Sequence, residues 1–358
     1  MRANISEISE MGLFSDINGF SFSGFGSLLS GKYRKNTVAQ AVFIEEHPYE
    51  KGFAVHYMQH VKPHVTEFEE SRRAALDKAS SRAKISLPLI ALAIVGTVFL
   101  VGATGEVDFW ILGLAAFLAL VGWVFMPLAR YSSSVKYRIF PNIVSFVEGF
   151  QFSPSCANRA HTLKRSDIIP NYDLEHSEDR VQGTYKGVEI DLSETRLQRK
   201  RRSHNRSDYV DVFKGVLITL SSNKKFAGKT VVRKDGGTVG NWFKSKTTSL
   251  ERVALEDPRF ERMFEVYSDD QVEARYLLTT SFMDRLLRLG RSFGGKHVEC
   301  SFFDDKLLMK IAVKRNLFEA GSVFEPEDFV DDAKQFLEDV NLIFAIIETL
   351  KLDQDIGM

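Results

Sequence analysis

The amino-acid sequence predicts an α+β protein, in which a two-helix transmembrane hairpin precedes a cytoplasmic antiparallel β-sheet domain covered by helices. Three observations predict it. Two uncharged runs of 21 residues, Ile85 to Gly105 and Phe109 to Ala129, flank a short polar link. From Val181 onward the apolar period changes to two, with turn residues between the runs. Helix-start signals then appear at Asp270, Ser281 and Pro326.

At about 1.5 Å of rise per residue, each uncharged run matches a hydrocarbon core roughly 30 Å thick. In lipid every backbone N–H and C=O must be paired, so two isolated runs can span only as helices. Pro88 falls in the first turn of the first span and Pro127 in the last turn of the second, where a missing N–H costs little. Trp110 and Trp123 lie near opposite ends of the second span, as interfacial rings do. The link Thr104 to Asp108 has no Lys or Arg, whereas Arg72, Arg73, Lys78, Arg82 and Lys84 precede the first span and Arg130, Lys136 and Arg138 follow the second. The positive-inside rule then puts both termini in the cytoplasm of a multi-pass protein of the cell membrane. Neither span carries a charge, which argues against a pump, channel or transporter. Ala115 and Ala119, with Gly96, Gly113 and Gly122, would let the two backbones approach closely.

The chain has 358 residues with 47 basic and 47 acidic side chains, an average that hides the spans behind long polar flanks. Two cysteines, Cys156 and Cys300, are too few for a disulfide framework or a closed zinc site and suit a reducing compartment. The N-terminus lacks a charged region joined to an apolar one, so insertion is expected to rest on the internal spans. Residues 1–35, rich in Gly, Ser and Phe, read as a mobile tail, with a sharper alternative in which Phe14, Phe20, Phe22 and Phe25 rest on the bilayer or in a partner's groove. Residues 36–84 read as a cytoplasmic helical stalk. Phe53, Tyr57, Val61, Val65 and Phe68 form one stripe, and Pro63 is expected to kink the helix rather than end it. Beside the stripe, His56, His60 and His64 have a step at which imidazoles share a metal, but no carboxylate stands at a metallopeptidase spacing, and polar flank positions are the simpler reading. Residues 85–129 form the hairpin, and residues 130–358 the α+β domain.

In that domain a helix is expected over about Asn142 to Phe150. Val181 to Tyr185 and Val188 to Leu192 form a hairpin on Lys186-Gly187, and Val210 to Leu220 and Lys229 to Lys234 give two more strands, in a sheet of about six or seven. Asp235 to Ser249 reads as a loop, and its GGTVGN lacks the ending and context of a phosphate cradle. The most basic run is Arg196, Arg199, Lys200, Arg201, Arg202 and Arg206, with no acid among them. Such runs are commonly solvated hairpin tips; beside a membrane, the specific reading is contact with anionic headgroups. No aromatic residues alternate with these bases, so nucleic acid is not expected.

Phe264 to Leu289 reads as a short strand and two capped helices. Asp270 with Glu273 writes the first start as a reciprocal cap, Ser281 with Asp284 the second, and Gly290 the stop. Asp269, Asp270, Glu273 and Arg275 also have the composition of an acid–base cluster, but capping already accounts for two of them. Val298 to Phe303 and Lys306 to Val313 form a hairpin on Asp304-Asp305, and a last helix is expected from Pro326 to Leu350. The acidic stretch after Glu319 complements the Arg196 run, within one molecule or between two in a homo-oligomer.

With VYSDDQVEARYLLT, EDRVQGTYKGVEIDLSE, VFKGVLITL and FAGKTVV, the chain resembles a bacterial family of two-span membrane proteins of unknown function, sometimes labelled galanin-like. The likeness covers most of residues 49–350. It implies a bacterial inner-membrane location, no established catalytic residue and no cofactor, and a LemA-type membrane protein as a neighbour. The functional expectation is a non-enzymatic adaptor or scaffold that holds its domain at the cytoplasmic leaflet; the alternative is a membrane-anchored hydrolase without a recognisable motif.

Overall fold

The computed structural model describes residues 26, 28–31, 42–106, 108–203, 206–223, 225–234, 250–255, 258–295, 297–313, 318, 323–350 and 352. Most of the expected N-terminal tail and the expected loop Asp235 to Ser249 lie outside the described residues. The chain divides into two compact units: residues 1–45, 52–142 and 319–331, and residues 46–51, 143–318 and 332–358.

The first unit is built on an antiparallel pair of long helices. α1 (Phe53–His56) leads through a π-turn at Tyr57–Val61 into α2 (Lys62–Thr104), and α3 (Asp108–Val144) returns. In the π-turn the backbone bonds reach five residues, as Lys62 N–H to Tyr57 O does, and the helix continues through Pro63, which has no N–H to give. The stripe Phe53, Tyr57, Val61, Val65 and Phe68 is buried. Beyond it Ala75, Leu76, Ala79 and Ala83 pack with Val124, Phe125 and Leu128, and Leu28 and Val323 complete that cluster. Arg82 donates to Trp123 O at 2.7 Å and lies over its indole at 4.9 Å. Further along, a Cβ on Gly113 would stand 2.4 Å from Thr97 Oγ1, so the helices meet there backbone to side chain. Both helices are long and apolar enough to cross a membrane, and their apolar side chains point outward: Leu92 is 68% exposed, Phe99 72% and Leu112 64%.

Asn142 to Phe150 is not a separate helix. α3 itself runs to Val144, and a turn then carries the chain to Gly149 at φ 79°. The last helix of the chain, α7 (Val330–Leu350), starts four residues later than Pro326. Phe329 takes φ 61°, which no helical residue adopts, and Asp328 Oδ1 receives the Val330 N–H at 3.0 Å.

The second unit is a sheet of nine strands among the described residues, all pairs antiparallel, in the order β1-β2-β3-β4-β9-β8-β5-β7-β6. The strands are β1 (Gln151–Ser155), β2 (Leu174–Tyr185), β3 (Val188–Ser203), β4 (Arg206–Ser221), β5 (Thr230–Lys234), β6 (Glu251–Val253), β7 (Phe264–Ser268), β8 (His297–Phe303) and β9 (Lys306–Ala312). The hairpin on Lys186-Gly187 forms as expected, with both residues at positive φ. Both faces are covered. On one, Cys300, Phe302, Leu307 and Met309 are buried with α6 (Thr280–Ser292), where Phe302 meets Phe282 at 5.5 Å, and α7 stacks Phe344 on Tyr185 at 3.7 Å. On the other, a 3₁₀ turn at Ala160–Ser166 and the following Ile168 and Ile169 cover Leu197, Phe213, Leu217, Val231 and Leu308. At Gly215 the backbones of β4 and β9 leave no room for a side chain, since a Cβ would lie 2.0 Å from Ile311 O.

Candidate functional site

The carboxylates of the SDDQVE stretch were candidates for acid–base chemistry, and the structure accounts for them one by one. The short helix α4 (Pro258–Glu261) precedes β7, and α5 (Gln271–Leu277) starts on Asp270, whose Oδ1 accepts the N–H groups of Val272 and Glu273, each at 2.9 Å. The expected cap is only half reciprocal. Glu273 does not turn back to Asp270; it reaches to the loop before β5 and accepts Ala227 N–H and Gly228 N–H, both at 2.8 Å. Asp269 Oδ1 accepts the next donor, Lys229 N–H, at 2.5 Å. Three acids therefore hold backbone donors, and the FAGK loop is clamped by the helix start. A Cβ on Gly228 would stand 2.3 Å from Asp269 Oδ1, so this loop position has room only for glycine. Arg275 is exposed, beside Val272 and Tyr276. α6 is capped by Thr279, whose hydroxyl accepts Phe282 N–H at 3.2 Å, rather than by Ser281. Thr279 keeps extended φ/ψ while Ser281 already lies in the first turn, and Asp284 pairs with Arg288 one turn on.

Next to that clamp, four charges of alternating sign cross the sheet on one row. Lys310 faces Glu299 across β9 and β8 and is ion-paired with it, while Arg233 faces Glu265 across β5 and β7. Lys310 Nζ donates to Ile168 O at 2.7 Å and Arg233 to Asp167 O at 2.5 Å, so the two cations hold the covering turn. Burial pulls the Lys310 ammonium below its ordinary value, against the attraction of Glu299. Shielded by the turn it fastens, this row is a structural network.

Among the described residues one set of three potential metal ligands converges, and it is not the histidines. His56 Nε2 lies 2.7 Å from Asn142 O, the His60 ring lies beside it tilted by 40° with centroids 4.7 Å apart, and His64 faces Glu67 at 3.8 Å. The convergent set is Glu178, Asp179 and Glu194, with oxygens within 4.8 Å of one another at a bulge in β2 where Asp179 takes φ 52°. Oxygen-only donors suit Mg²⁺ or Ca²⁺ rather than zinc. Glu194 Oε1 also accepts Phe318 N–H at 3.3 Å, and all three acids have further polar interactions around them. Periodicity gave no signal for this set, because only the β2–β3 register brings Glu178 opposite Glu194.

The basic run lies within strands rather than in a loop between them. β3 carries Arg196, Arg199, Lys200, Arg201 and Arg202, and β4 begins at Arg206. Past the pair Leu174↔Gln198, β3 and β4 continue, among the described residues, with only each other as ladder partners, from Arg199↔Val210 to Ser203↔Arg206. At about 3.4 Å per residue these five pairs make a ribbon roughly 17 Å long. Arg196 is committed to Asp211 at 2.8 Å. Arg199, Lys200 and Arg201 are exposed, and so are Tyr209 and Val210 opposite them. The acidic C-terminal helix looks elsewhere: Glu348 pairs with Lys186 at 2.7 Å, and Asp339 accepts from Ser292 and Gln335.

Residues 211–352 match the model of a family described as a protein of unknown function (DUF3137). The matched stretch runs from β4 through α7 and contains the whole carboxylate clamp. No curated protein matches the chain. Among solved structures, the mycobacterial trehalose monomycolate transport factor A, TtfA, is similar at 12% identity and a TM-score of 0.32, over 58% of this chain and 91% of that one. A superposition that loose transfers nothing from that protein to this one.

Proposed function

We propose that the chain is an integral protein of a bacterial inner membrane, with both termini cytoplasmic, whose α+β unit works as a non-enzymatic adaptor at the cytoplasmic leaflet and touches anionic headgroups through the β3–β4 ribbon. The observation that carries this reading is how charge is used. The acids of the SDDQVE motif hold backbone N–H groups, whereas Arg199, Lys200 and Arg201 project into solvent from a ribbon that, among the described residues, is flanked by no third strand. Each cation near an anionic surface contributes about 1 kcal/mol, so these three favour the leaflet by about 3 kcal/mol before screening. The outward apolar faces of α2 and α3 support anchoring, and the cations that flank them support the orientation. A membrane-protein partner, of which a LemA-type protein is the candidate class, would complete an adaptor. Crosslinking in native membranes, with identification of what is captured, tests this. A reproducible membrane-protein partner lost in the Arg199→Glu/Lys200→Glu/Arg201→Glu variant supports the reading. Turnover of a substrate by purified protein, abolished by one side-chain change that leaves the fold intact, would overturn it.

A further inference from the structure

The register of the ribbon carries a sharper statement about the same surface, and it rests on the lipid reading above. Residues directly opposite in an antiparallel pair share a face. Lys200 stands opposite Tyr209 on one face; Arg199 stands opposite Val210 on the other, followed by Arg201 opposite Asp208. Each face thus pairs a cation with an exposed apolar side chain, Tyr209 at 41% and Val210 at 44%. A ribbon that lay flat on a surface would keep its apolar side chains on the side toward that surface and leave the other side polar. The bulge at Val212, the extra residue between the pairs Leu197↔Phe213 and Gln198↔Asp211, separates this two-sided stretch from the sheet, where Leu197 and Phe213 are buried.

We propose that the ribbon enters the headgroup layer edge-on, with lipid phosphates against both faces, so that Lys200 and the Arg199–Arg201 pair each take anionic headgroups while Tyr209 and Val210 sit among the glycerol and upper acyl groups. A side chain with a cationic or apolar tip is at home at that depth, and a medium identical on both sides calls for the same chemistry on both sides. Nucleic acid is the less favoured polyanion, because one tyrosine on one face is no stacking platform.

The test uses the full chain in lipid nanodiscs, with Cys156→Ser and an environment-sensitive fluorophore on Tyr209→Cys or, separately, on Val210→Cys; Cys300 is fully buried and stays unlabelled. In discs with 30% phosphatidylglycerol, both labels should shift to the blue relative to pure phosphatidylcholine, and 0.5 M salt should remove both shifts. Lys200→Glu and Arg199→Glu should each weaken the response about fivefold or more. A shift of one label alone would overturn edge-on entry while leaving lipid contact intact. If neither label responds to anionic lipid, the lipid reading itself fails. A shift produced by an added oligonucleotide and not by phosphatidylglycerol would assign the ribbon to nucleic acid and overturn both.

Discussion

Replacing Glu273 with alanine should release the loop that precedes β5. In the native chain its two carboxylate oxygens receive Ala227 N–H and Gly228 N–H, each at 2.8 Å. Hydrogen bonds to a charged acceptor contribute about 1.5–3 kcal/mol apiece, and partial exposure of this pair puts each at or below the low end, so the expected loss is about 2–3 kcal/mol. Because the bonds are local, the effect should appear first as faster amide exchange at residues 227 and 228, by roughly 30- to 150-fold at 1.4 kcal/mol per decade. Glu273→Gln keeps one acceptor oxygen and should lose about half as much. Asp270→Ala should instead loosen the start of α5 and leave the loop amides nearly as protected. Hydrogen exchange resolved to single residues reads all three variants. Unchanged protection at Ala227 and Gly228 in Glu273→Ala would refute the clamp and reopen a chemical role for that carboxylate.

Gly215→Ala should prevent correct pairing of β4 with β9, because the new methyl would meet the Ile311 carbonyl at 2.0 Å; loss of the folded fraction in circular dichroism checks it. Gly113→Ala should push α2 and α3 apart at a cost of about 1–3 kcal/mol, and adding Thr97→Ala should restore most of it, since the clash is with that side chain; thermal stability in detergent reads the cycle. Tyr57 is held protonated, its phenol pushed up to about 12 by burial and then by the Asp328 charge, while its hydroxyl donates to Asp328 O at 2.8 Å. A folded-state value above the unfolded value of 10 means the contribution is fully present below pH 10 and lost between pH 10 and 12, by about 3 kcal/mol. Tyr57→Phe should therefore be less stable at pH 8 by about 1 kcal/mol, yet lose less stability up to pH 12, as alkaline unfolding would record.

Hydropathy alone marked the two long helices, because an uninterrupted apolar run does not depend on what packs beside it. The stalk stripe from Phe53 to Phe68 was equally plain, and all five side chains are buried. The basic run was harder to read. A ribbon with the same chemistry on both faces has no alternation to betray a strand, so Arg196 to Arg202 looks like a tip when it is the strand itself. Asp270 announced its cap within three residues, but Glu273 bonds a loop 45 residues away, a partner that only the sheet order supplies. The Glu178–Asp179–Glu194 set was hidden for the same reason. Helix starts were misplaced where a competing residue sat nearby: Thr279 before Ser281, and Asp328 after Pro326.

Everything proposed for this chain depends on α2 and α3 lying in a bilayer, and alkaline carbonate extraction of membranes from cells that make the native protein tests that most directly. The protein should stay with the membrane pellet at pH 11 and leave it only with detergent. Recovery in the carbonate supernatant would mean that the outward faces around Leu92, Phe99 and Leu112 are covered by protein rather than lipid.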